Sequence, residues 1–153
     1  MKIFLLGIVL SIGFSFQGFA YPLTPNPEWA EGSLCNRQNP DYSEDRYKEK
    51  IPYCERNVSS STKKSLYELY NIPEKCRNKY TIDHIIPLSI GGDNSPENLW
   101  PEHEKVKATR PQLETDLYLE LKAGRLKQKQ AVQIILREKY KNSAIRSIDS
   151  KCN

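Results

Sequence analysis

The chain has 153 residues, a formal net charge of +4, 27% charged residues and four cysteines. That length has room for one domain and excludes a multidomain assembly within it. A charge this small leans only weakly toward polyanions, since many proteins with neutral substrates carry as much.

Met1-Lys2 supplies a positive charge, Ile3–Phe16 is almost wholly apolar, and Gly18-Phe19-Ala20 puts small residues where a signal peptidase reads. The apolar run is too short and too early for a comfortable membrane span. Residues 1–20 are therefore expected to be a signal peptide, with an uncleaved anchor or a buried strand as the alternatives. The mature chain, 21–153, is expected to be one domain, secreted or periplasmic, monomeric and free of the membrane. Cys35, Cys54, Cys76 and Cys152 are widely spaced and include no Cys-x-x-Cys pair, which disfavours structural zinc. Two disulfides formed in an oxidising compartment are expected, and all three pairings stay open.

Residues 21–50 read as an extended N-terminal arm that carries Pro22, Pro25, Pro27 and a lone Trp29 in its first half. Ile51–Cys54 suits a short strand or a disulfide-fixed loop. The serines at 59–61 then offer an N-cap to a helix over Thr62–Tyr70, with Leu66, Leu69 and Tyr70 apolar and Asn71-Ile72-Pro73 as the stop. Tyr80-Thr81-Ile82 is strand-like and opens the central segment. Beyond Pro101 the chain reads as helical. Leu113, Leu117 and Leu121 make one stripe, Gly124 suits a C′ position, and a last helix over about Lys127 to Lys141 would bury Ala131, Ile134, Ile135 and Tyr140. The fold class is α+β: a short antiparallel hairpin with surrounding helices, the C-terminal ones within 112–141, stapled by disulfides.

The stretch Asp83-His84-Ile85-Ile86-Pro87-Leu88-Ser89-Ile90-Gly91-Gly92-Asp93-Asn94, closing with Asn98-Leu99-Trp100, carries the chemistry. Phosphodiester hydrolysis needs an attacking water and relief of charge on the phosphate, and a divalent ion can supply the latter. Asp83 is a hard oxygen ligand suited to such an ion, and His84 can take the water's proton near neutral pH. Neighbouring side chains on a strand point to opposite faces, so the two serve one site only if the chain curls after Ile82. Pro87 and Gly91-Gly92 would allow that, and Asn98 could tie the turn to the backbone. Lys63, Lys64, Lys75, Arg77, Lys79, Lys105, Lys107 and Arg110 flank the segment, and Arg110 could clamp a phosphate.

DHIIPLSIGGDNSPENLW resembles the HNH endonucleases, most strongly from Tyr80 to His103, and the helical sequence after it, with Leu113-Glu114 and Gly124, is similar to a subgroup of small exported bacterial members that carry Asn-Leu-Trp-Pro. The resemblance implies a ββα-metal core over 80–110, two short antiparallel strands and a helix around one divalent cation. Mg²⁺ is expected, with Mn²⁺, Ca²⁺ or Zn²⁺ as alternatives. It implies Asp83 as a metal ligand, His84 as general base and Asn98 as the residue that orders the loop. The ligand from the helix falls at Lys107 by spacing, which cannot bind a metal while protonated. His103 is preferred instead, on a helix beginning near Glu102, with Glu114 as the second candidate; Lys107 and Arg110 are then phosphate contacts.

The expected activity is cleavage of DNA, with RNA as a further substrate, at low sequence specificity. The rivals are a catalytically inactive nucleic-acid-binding module of the same fold and an exported toxin or effector nuclease acting in another cell.

Overall fold

A computed structural model describes residues 21–141 together with Ile148 and Cys152. The expected signal peptide lies outside the described residues. Among them, no helix is long and apolar enough to cross a membrane.

The arm is extended only in part. Its first half turns at Asn26, whose carbonyl accepts from the Trp29 and Ala30 amides, and Tyr21 and Leu23 pack on the core. Its end is a strand, β1 (Tyr42–Arg46), paired antiparallel with β2 (Ile51–Cys54). This corrects the expectation of an extended arm to residue 50. The sequence Tyr-Ser-Glu-Asp-Arg shows no apolar alternation because both faces of β1 are at least partly solvated. The turn between the strands places Tyr47 and Lys50 at φ of 63° and 59°.

Helix α1 (Ser60–Leu69) starts where the serine cluster predicts, with the Ser59 hydroxyl accepting from Thr62 N at 3.0 Å. Leu66 and Tyr70 are buried, and Leu69 is 45% exposed. Asn71, at φ 54°, ends the helix.

Strands β3 (Tyr80–His84) and β4 (Leu99–His103) form the central hairpin, with Tyr80 opposite His103, Ile82 opposite Pro101 and His84 opposite Leu99. Every residue of β4 is buried. The helix expected near Glu102 begins only at Glu104, as the single turn α2 (Glu104–Lys107). Pro101 is tolerated in β4 because that strand has only one neighbour, so the missing N–H costs no bond on its outer edge. The connection between β3 and β4 is compact: Ile85 enters the cluster around Trp100 and Val106, while Ile86 and Ile90 enter the one formed with the C-terminal helices. A Cβ on Gly92 would lie 1.8 Å from the Ile86 carbonyl oxygen, so only glycine fits there.

Helices α3 (Leu113–Lys122) and α4 (Gln128–Tyr140) pack as a pair, with Leu117 and Leu121 against Ala131 and Ile135. Gly124 follows α3 at φ 71° in the expected C′ role. Disulfides join Cys35 to Cys54 and Cys76 to Cys152, with Cα separations of 5.8 and 5.4 Å. The first ties the arm to β2, and the second ties the turn before β3 to the C-terminal region.

Candidate active site

Alternation along β3 sends Asp83 and His84 to opposite sides of the hairpin, and their side chains find separate partners. The His84 imidazole is buried, with Nε2 3.0 Å from Asn94 Oδ1. The amide of Asn94 is oriented by its other contacts: Nδ2 donates to Asp41 Oδ2 at 2.9 Å and to the Glu55 carbonyl at 2.7 Å. Both partners are acceptors, so the nitrogen must face them and Oδ1 must face the ring. Oδ1 can only accept, so the proton sits on His84 Nε2. Nδ1 is then a bare lone pair, buried and without a hydrogen-bond partner among the described residues. Burial lowers the imidazole below its usual pKa, outweighing the Asn94 hydrogen bond, and the Arg56 charge acts in the same direction. The ring is therefore neutral at physiological pH, the form a general base needs.

Asn98, fully buried in the turn before β4, holds the loop that follows His84. Its Oδ1 accepts from Ile86 N at 2.8 Å, and its Nδ2 donates to the carbonyls of Ile86 at 2.9 Å and Asp93 at 2.8 Å. The arm closes over the same loop. Cys35 N donates to the Gly91 carbonyl, Gly32 N to the Glu97 carbonyl, and the Ser33 hydroxyl to Asp93 Oδ1.

Asp83 enters a cluster of charges. Its Oδ1 accepts from His84 N, while Oδ2 lies 3.0 Å from Lys107 Nζ and 3.7 Å from Lys139 Nζ. Lys139, 1% exposed although charged, also donates to the His84 carbonyl at 2.6 Å and to Glu114 Oε1 at 2.9 Å. Glu102 is buried on the same side as Asp83, shares a hydrogen bond with it, and touches the Arg110 guanidinium. Burial opposes ionisation of Asp83, but Glu102, Lys139 and Lys107 together hold its carboxyl below the usual range. Burial and the Asp83 hydrogen bond push Glu102 up to about 8, against the pull of Lys139 and Arg110, so the proton shared by the pair rests on Glu102.

The structure does not bring His103 to Asp83. His103 ends β4 on the opposite face, edge-on to the Tyr80 ring at 4.8 Å, with Nδ1 capping α2 by accepting from Lys105 N. Its role there is packing and capping. Arg110, expected at a phosphate, is occupied by Glu102 and only 14% exposed. Glu114 does reach the Asp83 side, though its neighbour there is Lys139. Lys107 pairs with Asp83 and keeps its side chain half exposed. Sequence reasoning assigned no role to Asn94, Glu102, Arg56 or Lys139. Asn94 stands inside the motif and offered a signal, whereas nothing in the last helix marks Lys139 as a partner of Asp83.

Asp83, Glu102 and Glu114 are oxygen donors of the kind hard divalent ions take, but the cluster does not fit one. Three carboxyls already meet three cations, Lys107, Lys139 and Arg110. Among the described residues no group of three or more donors closes on one point. An ion on Asp83 Oδ2 would lie near the buried Lys139 ammonium, a repulsion of roughly 8 kcal/mol at about 4 Å in an effective dielectric of about 20. Lys107 can swing into solvent, but Lys139 cannot.

Neither a curated protein nor a solved structure matches the chain. The segment that holds the hairpin, the glycine loop, Asp83, His84 and Asn98 does match a known family, one whose fold is a ββα unit and whose nucleases use a divalent metal. Residues 67–107 match the family model of the HNH endonucleases, and the likeness is confined to that segment.

Proposed function

We propose that the protein is an exported nuclease of the HNH type that hydrolyses phosphodiester bonds in DNA, and in RNA as a further substrate, with little sequence preference. One observation carries the reading: inside the segment matched to the family, Asn94 sets the tautomer of His84 and Nδ1 has no partner among the described residues. The proton of the attacking water passes to Nδ1, the water oxygen bonds to phosphorus, and the bond to the leaving oxygen breaks as that oxygen takes a proton from solvent. The half-exposed Lys107, beside Asp83, and the exposed Arg56, whose charge acts on His84, are the candidate phosphate contacts. Such contacts position a strand without reading its bases, which supports low specificity. Export is supported by the signal-like first 20 residues and by two disulfides. Among the described residues, the Mg²⁺ expected from the sequence finds no shell of donors at Asp83.

The test is plasmid digestion by the mature chain, with and without EDTA, beside His84→Ala. Loss of the base should lower the rate by about 10²–10⁴. Undiminished cutting by His84→Ala would remove the base from the reading. A second reading, a nucleic-acid-binding module without catalysis, draws on the burial of His84, which is 1% exposed. Retention of DNA by wild-type protein that never cuts it would establish that alternative.

A further inference from the structure

The buried ammonium of Lys139 is surrounded as a bound cation would be. It has the Asp83 carboxylate from β3 at 3.7 Å, the Glu114 carboxylate from α3 at 2.9 Å and the His84 carbonyl at the end of β3 at 2.6 Å, three oxygens from two elements. These are ammonium distances, longer than the 2.0–2.1 Å that Mg²⁺ holds. The side chain is 1% exposed and is the only cation of the cluster that is fully enclosed, since Lys107 and Arg110 both reach solvent. A lysine this buried is uncommon unless its charge is fully met. Here it is met by the groups that would otherwise be metal ligands.

We propose that Lys139 is the resident cation of this site. Its ammonium takes the place of a divalent ion, bridging Asp83, Glu114 and the His84 carbonyl, so that the folded protein binds no metal at Asp83. The oxygen donors are therefore spent on holding α4 against the end of β3. Charge relief for a bound phosphate then falls to side chains at the rim, Lys107 first. The inference concerns the same site as the nuclease reading, but it is a statement about cation binding and holds with or without cleavage.

The test measures Mn²⁺ uptake by the mature chain without nucleic acid, from the electron paramagnetic resonance signal of the free ion and by calorimetry. Wild-type protein should leave an equimolar Mn²⁺ signal undiminished. Lys139→Ala, which uncovers the oxygens, should take up one equivalent, and Asp83→Asn in that background should abolish the uptake. Where Lys139→Ala fails to fold, Lys139→Asp replaces it, and folding that appears only with Mn²⁺ counts as the gained site. One equivalent bound by wild-type protein and lost in Asp83→Asn would overturn the proposal, as would a folded Lys139 variant that gains no ion. The two readings fail separately. A wild type that ignores Mn²⁺ and cuts no DNA leaves Lys139 in its role and removes the nuclease. A wild type that cuts only with Mn²⁺ held at Asp83 does the reverse.

Discussion

Replacing Asn98 by alanine isolates the loop that carries His84 from the polar contacts that shape it. The amide makes three short buried bonds, to Ile86 N, the Ile86 carbonyl and the Asp93 carbonyl, plus a longer one at 3.4 Å from Ser33 N. Each buried group left without its partner costs about 1–3 kcal/mol. Three such groups, with part of the loss recovered by water entering the space vacated by the side chain, put the cost near 4 kcal/mol. That is a large fraction of the roughly 5–15 kcal/mol typical of a domain. Urea unfolding at pH 7 with the disulfides intact, followed by the fluorescence of buried Trp100, should show the midpoint falling by about 2 M for a slope near 2 kcal/mol/M. Asn98→Asp keeps the acceptor but loses both donations, and should fare no better. A midpoint within about 0.5 M of wild type for Asn98→Ala would refute the assignment of Asn98 as the staple of this loop.

Because His84 must be neutral to act and burial holds it below its usual 6.5, the acid limb of the pH–rate profile should lie below that value. Asn94→Ala removes an interaction that raises His84, so the limb should move to still lower pH while the rate drops roughly tenfold as the tautomer is released; an unmoved limb would disprove the contact's role. Glu102 is raised from 4.5 to about 8, so its contribution to stability is complete below about 4.5 and is lost as pH climbs through 8. Glu102→Gln should accordingly be less destabilising at pH 8.5 than at pH 5 in urea titrations, and an equal penalty at both would contradict the shared proton; Asp83, held low, acts only at more acid pH. Removal of the Cys76–Cys152 bond, which spans 76 residues, should cost about 4.5 kcal/mol against about 3 for the 19-residue Cys35–Cys54 bond. Thermal unfolding of the two serine double variants gives the order, and the reverse ranking would show that the loops are not flexible when unfolded.

The parts legible in the sequence are those whose cause is local. Ser59 caps α1, and Gly124 closes α3 with a positive φ. Gly92 is dictated by its own loop, where a side chain would strike Ile86. Asn98 was identified as a tie to backbone because a side-chain amide inside a glycine turn has few other uses. The parts that stayed hidden depend on contacts between distant segments. Lys139 lies 56 residues beyond Asp83 on a helix whose pattern is otherwise that of an ordinary amphipathic face, and only the packing of α4 on β3 makes it a partner. Neither face of β1 is apolar, so nothing marks it as a strand in the sequence, and β4 runs two residues beyond Pro101, so His103 ends a strand and lies outside the helix. Spacing identified Lys107 as the residue at the helix position, and the structure does place it beside Asp83, but as an ammonium.

The Cys35–Cys54 bond encloses the β1–β2 hairpin, whose tip, Lys48-Glu49-Lys50, is exposed and rich in lysine. A trypsin-like protease meeting the protein would find its easiest scissile bonds there. Both fragments would stay linked through sulfur, so a nicked molecule would migrate as one species until a reductant separated it. The strap that Gly32, Ser33 and Cys35 lay across the glycine loop would remain seated after the cut. Wear at this tip would spare the working parts of the molecule.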